Sequence, residues 1–240
     1  ISPRQNLLMS ISFKSPSKII IRRVMEECRK MKLGGKELGI IAVVIIVILI
    51  IAAAAVFWQR PAVVERRVLR WSEANVPELD PAVGSDYSSS VSYVNLYDTL
   101  VYPNYTGESL PYLADNWTVT TNGLNWTFNL RSGVKFHDGT ELIAEDVVFS
   151  MDRIITVGRG YSYLFSGWVN QSIAVGNYTV KFVLNKVYGP FLTVLPRLYV
   201  LNKDLVMENI APGLVEFGAY LDYGTGWLLS HDAGSGPYKV

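Results

Sequence analysis

The chain has 240 residues, and this length suggests one or two domains. Half of the residues are hydrophobic, and the formal net charge is +1. Residues 1–38 hold nine Lys/Arg and three acidic residues, whereas the remainder holds 13 Lys/Arg and 18 acidic residues. Cys28 is the single cysteine and excludes an intrachain disulfide. A basic tail can indicate nucleic-acid binding, but its position before an apolar run favours membrane topology, so we expect no nucleic-acid partner.

Residues 39–58 form an uncharged apolar run of 20 residues. As a helix this run spans about 30 Å, the thickness of the hydrocarbon core. Six Lys/Arg lie in the 20 residues before it and four shortly after it, which favours a cytoplasmic N-terminus. We therefore predict a basic cytoplasmic leader (1–38), a single-pass signal-anchor helix (39–58) and a linker (59–66), with the bulk of the chain extracellular at the cell membrane. Ala53-Ala54-Ala55 within the run resembles a small-residue cleavage site, so a removable signal peptide is the alternative.

The chain then becomes strand-like. Residues 68–72 are predicted as a strand, 73–81 as a loop broken twice by proline, and 88–100 as a helix. The helical spacing assigns four residues to a core face: Val91, Val94, Leu96 and Leu100.

A hairpin is predicted next, because two alternating apolar runs flank the turn signal Asn122-Gly123. A two-residue turn there fixes the register and places the apolar groups on one face. The predicted pairs are Thr121 with Leu124, Val119 with Trp126, and Trp117 with Phe128.

Residues 144–155 are predicted as a helix, with Val147, Val148, Met151 and Ile155 at core spacing. A second hairpin follows around Gly176-Asn177, with apolar residues on both sides of the turn: Ile173, Val175, Tyr178, Val180, Phe182 and Leu184. Residues 190–205 read as helical or mixed, 213–226 as irregular, and 237–240 as the start of a strand, which suggests a truncated protein.

Asn-X-Ser/Thr tripeptides occur five times, all after the apolar run, whereas 13 asparagines would give about two by chance. If Trp117 and Trp126 face the core, the asparagines before them face solvent. The pattern predicts N-glycosylation outside the cell; coincidence in a threonine-rich strand protein is the alternative. The candidates are Asn104, Asn116, Asn125, Asn170 and Asn177.

Four segments, taken in order, resemble the family 5 extracellular solute-binding proteins, the dipeptide-, oligopeptide- and nickel-binding group. The third is the most specific, and it departs from the family pattern where Ile143 replaces a helix-capping threonine and Glu141 a proline. His137-Asp138 within it is interpreted as a turn pair rather than a metal ligand or general base. The segments are ELDP (78–81) with NLYDTLV (95–101), PYLADNW (111–117), LNWTFNLRSGVKFHDGTELIAEDVVFS (124–150) and GSGPYKV (234–240).

The resemblance implies a mixed α/β fold of the periplasmic-binding-protein-like type II class, with two lobes that close on a solute. Residues 67–240 would form the N-terminal part of this domain, and the fold would be incomplete. By this likeness 67–95 and 226–240 belong to lobe I and 96–225 to an extra subdomain, while lobe II would follow in residues not given.

The implied function is capture of peptides, with no catalysis, cofactor or metal, and delivery to an ABC permease and its ATPase. Oligosaccharides and metal chelates are alternative solutes. Ligand-contact candidates are Glu73 and Asn75 in the first loop and the rings of Tyr97, Trp168 and Trp227, with ordinary packing as the alternative for each. A membrane-anchored hydrolase and a signalling receptor ectodomain are the competing functions, although the sequence lacks His-Glu-x-x-His and Gly-x-Ser-x-Gly motifs.

Overall fold

A computed structural model of the protein describes residues 75–213 and 215–240 and five isolated positions: Val44, Val47, Ile48, Val68 and Arg70. The predicted leader (1–38), the linker (59–66), and almost all of the apolar run (39–58) and of the first strand (68–72) lie outside the described residues. Within the described residues, no helix is both long and apolar enough to cross a bilayer. The chain divides into two units, Ile1–Leu69 and Arg70–Val240, and every element with defined bounds belongs to the second.

The described part is a mixed α/β structure, as predicted. Its 3₁₀ segments are Ser162–Leu164, Leu195–Arg197, Gly218–Tyr220 and Trp227–Leu229. Its helices and strands, in chain order, are α1 (Tyr87–Leu96), β1 (Val101–Pro103), β2 (Ser109–Pro111), β3 (Ala114–Val119), β4 (Asn125–Leu130), α2 (Ala144–Val157), β5 (Val169–Gly176), β6 (Thr179–Leu184), α3 (Phe191–Val194) and α4 (Lys203–Glu208).

An antiparallel four-stranded sheet with the order β3-β4-β6-β5 lies at the centre, and β1 and β2 form a separate hairpin. One sheet face is apolar because alternate residues of β4 and β6 point into the core, where Phe128, Val180 and Phe182 are fully buried. Helix α2 packs against β5 and β6. The opposite face is polar and carries the hydrogen bond of 2.7 Å from Asn129 to Asn116.

The first hairpin has the predicted register, with Trp117 opposite Phe128 and Val119 opposite Trp126. The two-residue turn was wrong. Gly123 N–H donates to Thr120 O at 2.8 Å and Leu124 N–H to the Asn122 side chain at 3.1 Å, so residues 121–124 form a four-residue connection. The longer turn still places the same strand residues opposite each other, so the register of the strands is as predicted.

The second hairpin is also present, and Val180, Phe182 and Leu184 alternate into the core. Val175 does not join them: it is exposed, and Ala174 is the residue paired with Val180. The pairing register shifts between Ala174 and Gly176, and such an irregularity changes which side chains face the core.

Helix α1 ends at Leu96, earlier than predicted. Leu96 and Leu100 are buried as predicted, but the two valines are not part of the fully buried face. Val94 is exposed, and the buried residues are Ser88, Ser89, Ser92, Tyr93 and Leu96. Serine hydroxyls can enter the interior because they bond locally, as Ser92 does to the Ser88 carbonyl at 3.2 Å. Asp86 caps the helix by accepting the Ser89 N–H at 3.1 Å.

Helix α2 confirms the prediction for 144–155 and extends to Val157, after which Gly158 takes a left-handed conformation with φ of 69°. Val147 and Met151 are buried as predicted. Arg153, which was not assigned to this core face, is fully buried beside them.

Residues 190–205 are mixed, as predicted, and 213–226 hold only short turns in the described positions. The predicted strand at 237–240 was wrong, because no strand is assigned there. The chain instead lies across the end of α1, where Tyr238 N–H donates to Asn95 O at 3.0 Å.

Candidate functional site

Tyr97 lies where two of the family-like segments meet. Its ring is buried, and its hydroxyl donates to the carbonyl of Leu79 at 2.9 Å. The ring packs against Tyr93 and Tyr199 at centroid distances of 6.2 and 6.4 Å. Burial, reinforced by the nearby Asp80 charge, raises the pKa of Tyr97 well above its usual value, so the hydroxyl stays a neutral donor.

The Gly234–Gly236 backbone lies directly on the end of α1. Gly236 N–H donates to Leu96 O at 3.0 Å. A Cβ atom at Gly234 would lie 1.8 Å from Leu96 O, and one at Gly236 would lie 2.6 Å from the Leu96 carbonyl carbon. The two glycines are therefore required by close backbone approach.

His137 joins the third family-like segment to the fourth. Its backbone N–H donates to Gly234 O at 2.9 Å, its Nε2 lies 2.8 Å from Gly236 O, and its Nδ1 contacts the Asp232 carboxylate. Burial acts to lower the pKa of His137, but the hydrogen bonds to Asp232 and Gly236 outweigh it, and the pKa is raised. His137 therefore links residues 131–140 to residues 232–240 in a structural role. Its partner Asp232 lies in none of the segments that carry the family resemblance.

Asp80 and Arg153 tie the first family-like segment to α2. The guanidinium Nη1 and Nη2 each donate to one Asp80 carboxylate oxygen at 2.6 Å, and Nε donates to Tyr223 O at 2.9 Å. Asp80 also accepts the Ala82 N–H at 2.9 Å, and its carbonyl accepts the Tyr93 hydroxyl at 2.8 Å. Because both charges are buried, these bonds replace the water that each has lost.

We call this set the motif junction: residues 78–81, 95–101, 131–140 and 232–240 together with Arg153. It holds several distant chain segments in fixed register, and its two central charges, Asp80 and Arg153, are buried. The motif junction contains the C-terminal end of the first loop (73–81). Asn75 and Val76 in this loop are exposed, Val76 to 94%. Such an arrangement can support a binding loop.

The predicted ligand residues are placed as follows. Glu73 lies outside the described residues, and Asn75 is exposed in the first loop. Tyr97 is buried in the motif junction. Trp168 is half-buried and stacks on Tyr188 at 4.1 Å, with Lys186 Nζ 4.2 Å from the Trp168 ring centroid. Trp227 is half-buried and stacks on His231 at 4.7 Å.

Two of the cavities among the described residues have volumes of about 610 and 320 Å³. The larger lies beside α2, β5 and α4, with the ion pair of Lys203 and Glu145 at 2.6 Å on its wall. Neither cavity is lined by Asn75, Tyr97, Trp168 or Trp227. These two cavities therefore do not gather the predicted ligand residues that the structure describes.

The five glycosylation candidates differ in their surroundings. Asn116, Asn170 and Asn177 are exposed, whereas Asn104 and Asn125 are half-buried. Asn104 Oδ1 accepts the Thr106 N–H at 2.9 Å within the β1–β2 turn. Ser172, the sequon serine of Asn170, is half-buried, and its Oγ atom is buried with no hydrogen-bond partner within the described residues.

Arg153 and Asp232 were missed by the sequence reasoning. The signal for Arg153 was present, because a cation one helical turn from Phe149 and next to Ile154 interrupts an apolar face. Asp232 had no such signal, since its partner His137 is 95 residues away.

Comparison with known proteins places these features in a family. A model of the bacterial extracellular solute-binding proteins, family 5 (middle part), matches residues 108–240. The probable D,D-dipeptide-binding periplasmic protein DdpA of Escherichia coli K12 is 31% identical over 188 residues, covering 75% of this chain and 34% of that protein. The dipeptide-binding protein of the same strain is 33% identical over 181 residues, covering 65% and 33%.

Solved structures agree. The periplasmic binding protein DppA of Helicobacter pylori, in complex with the peptide STSA, matches with a TM-score of 0.55 and 32% identity over 67% of this chain and 34% of that one. NikZ of Campylobacter jejuni, in complex with Ni(L-His), matches with a TM-score of 0.59 and 25% identity over 70% and 31%. The chain thus spans about a third of the length of the relatives it matches. Because the family model covers more than half of the chain, this protein belongs to the bacterial extracellular solute-binding proteins of family 5, which are transport binding proteins rather than enzymes.

Proposed function

We propose that this chain is part of a binding protein that captures peptides and delivers them to the permease and ATPase of an ABC importer. The observation that carries the proposal is the family match over 108–240, together with relatives whose names specify dipeptides. The solute would stabilise a closed state through contacts with both lobes, so function would rest on differential binding rather than on chemistry.

Within that protein, residues 67–95 and 226–240 would belong to lobe I and 96–225 to an extra subdomain. The motif junction supports this division, because the Tyr238 N–H donates to Asn95 O and so joins the two lobe I segments, while Gly236 bonds to Leu96 at the boundary. The same contacts would fix the base of the first loop. A rigid base allows a loop to meet a ligand with little loss of conformational entropy.

Asn75 is the proposed ligand contact that the structure describes in an accessible position, and Glu73 lies two residues before it. Trp168 and Trp227 remain proposed ring platforms; each already has one neighbouring ring against it. Tyr97 would act indirectly, since its hydroxyl holds Leu79 in place at the end of the loop.

We further propose that residues 39–58 anchor the protein in the cell membrane with the bulk of the chain outside. The uncharged 20-residue run supports this, and Val44, Val47 and Ile48 are helical and exposed apolar residues within it. Tethering would raise the effective concentration of the binding domain near the permease. Protease added to intact cells should remove the β3–β4 hairpin; an epitope there that survives until lysis would contradict the topology.

N-glycosylation of the exposed part is proposed for the five asparagines named above. Asn116 and Asn177 are the best placed, because both are exposed and their sequon threonines lie on the polar side of the sheet. Asn170 is the worst placed, because the hydroxyl oxygen of its sequon serine is buried. Peptide mass spectrometry of protein from its native host should find glycan at Asn116 and Asn177; unmodified peptides at both would refute the proposal.

A nickel chelate is a second candidate solute, favoured by the likeness to NikZ in complex with Ni(L-His). The two can be separated by calorimetric titration of the full-length protein with dipeptides and tetrapeptides and, in parallel, with Ni(L-His) and an oligosaccharide. Saturable heat with peptides alone supports the peptide proposal. Heat only with the chelate or the oligosaccharide would overturn it.

A further inference from the structure

Both ring nitrogens of His137 face hydrogen-bond acceptors. Nδ1 contacts Oδ1 of Asp232, and Nε2 lies 2.8 Å from the carbonyl oxygen of Gly236. The His137 and Asp232 side chains are only 17% and 5% exposed, so water cannot readily replace either contact. A neutral imidazole has one N–H, and would leave one nitrogen lone pair opposed to an acceptor.

With a neutral imidazole, a proton on the Asp232 carboxyl group would remove the clash between the nitrogen lone pair and its acceptor. The Asp232 carboxylate, however, also accepts the Gly234 N–H at 3.2 Å and the Val240 N–H at 2.8 Å. Hydrogen bonds from N–H groups favour the ionised carboxylate. The geometry is therefore that of an imidazolium donating twice, once to a carboxylate and once to a carbonyl.

We propose that His137, Asp232 and Gly236 form a proton latch, which holds residues 232–240 on the 131–140 loop while the His137 ring carries two protons and loosens them when one is lost. The latch belongs to the fold of the chain and does not depend on which solute is bound. It would act on the segment whose Gly236 and Tyr238 amides bond to the end of α1.

Other charged or titratable groups near the latch act in known directions. Lys239 is a like charge that opposes protonation of His137. Tyr97 stays neutral beside Asp232 because its own pKa is raised by burial. Asp98 accepts the Ser235 hydroxyl at 2.8 Å, and Asp138 accepts from Asn202 at 2.9 Å, so both carboxylates are engaged elsewhere.

The pH range follows from the signs of two shifts. The pKa of His137 is raised above 6.5, so its contribution is complete below 6.5 and is lost as pH rises through the folded value. For Asp232, burial acts to raise the pKa, but the His137 and backbone hydrogen bonds lower it below 3.8, so its contribution is lost only in acid. The latch is therefore complete between 3.8 and 6.5 and opens toward alkaline pH.

The ring protonation can be measured by NMR on the full chain labelled with ¹⁵N-histidine. The given sequence has two histidines, and the signal lost in His137→Gln identifies the latch residue. We expect His137 to show two protonated ring nitrogens at pH 6.5, because its pKa is raised above that ordinary value. Asp232→Asn should shift this titration to lower pH, whereas His231→Gln should leave it unchanged. A neutral His137 ring at that pH, or a titration indifferent to Asp232→Asn, would overturn the proposal.

Hydrogen exchange at the Gly236 and Tyr238 amides tests the release itself. Between about pH 6 and pH 9, their protection, corrected for intrinsic exchange, should fall about tenfold, the equivalent of one lost hydrogen bond. Amides in β4 and β6 should keep their protection, which separates latch release from global unfolding. In His137→Gln, or in Asp232→Asn if the first variant does not fold, protection should already be low at about pH 6 and change little. Equal pH profiles in wild type and both variants would contradict the latch.

Discussion

The Arg153 guanidinium and the Asp80 carboxylate form two parallel hydrogen bonds of 2.6 Å, with both side chains fully buried. Asp80 precedes α1, whereas Arg153 lies in α2, so the pair joins elements 73 residues apart. A third donor, Arg153 Nε, satisfies Tyr223 O. The buried ion pair thus connects the Asp80-Pro81 turn to helix α2.

Removing Arg153 should be strongly destabilising. Arg153→Met leaves Asp80 buried without its counter-charge, and we expect the free energy of unfolding to fall by about 3–5 kcal/mol. Urea denaturation measures the change. The matched control is Arg131→Met, because the Arg131–Asp115 pair is 49% and 55% exposed and should contribute about 0–1 kcal/mol. Similar small losses for both variants would show that the buried pair is not structural.

A single methyl group at Gly234 should disturb the motif junction. Gly234→Ala places a Cβ atom 1.8 Å from Leu96 O, a backbone atom that cannot rotate away. We expect a loss of about 3 kcal/mol, the upper end of overpacking costs. Gly189→Ala is the control, since a Cβ there meets nothing within 4 Å. Equal thermal midpoints for the two variants would contradict the close approach.

The start of α2 lacks one half of a capping box. Asp146 accepts the Ile143 N–H at 2.9 Å, but the Ile143 side chain has no oxygen to return the bond. Ile143→Thr should be more stable than the isosteric Ile143→Val by about 1 kcal/mol, because only threonine can cap the helix. Denaturation of the two variants side by side gives the difference; a valine variant as stable as the threonine one would refute the reasoning.

The free energy of unfolding should fall in acid as Asp222 becomes protonated. Burial acts to raise its pKa, but backbone N–H groups of Ala211, Gly226 and Gly224 outweigh this and lower the pKa below 3.8. Its contribution is therefore present above 3.8 and lost as pH falls through the folded value. Asp222→Asn should reduce the urea midpoint near neutral pH and converge on wild type in acid. A constant difference in urea midpoint between Asp222→Asn and wild type at all pH values would be the contrary result.

Asn75 is exposed in the first loop and is proposed to contact the ligand. In the full-length protein, Asn75→Ala should weaken peptide binding about tenfold, the value of one hydrogen bond to the ligand. Asn177→Ala, in the β5–β6 turn, is the control and should bind normally. Calorimetry measures both affinities, and unchanged binding by Asn75→Ala would remove it from the site.

Local patterns predicted much of the fold. The register of the first hairpin followed from Trp117, Trp126 and Phe128 because side chains alternate with a period of two. Helix α2 followed from its apolar spacing. The buried face of α1 was predicted only at Leu96, since three of its other buried residues are serines and Val94 faces solvent.

The site was predicted less well than the fold, for a physical reason. Tyr97 and His137 were visible as motif residues, but their partners Leu79 and Asp232 are set by tertiary contacts across 18 and 95 residues. A ring such as Tyr97 has the composition of a ligand platform and the burial of a core residue. Sequence spacing alone cannot separate these two roles.

The most direct test of the account is mass spectrometry of the small molecules released when the full-length protein, purified under native conditions, is denatured. Peptides should be released in near-stoichiometric amounts, and emptied protein should bind them again. Release of oligosaccharides or metal chelates instead, with no rebinding of peptides, would contradict the proposal that this protein captures peptides.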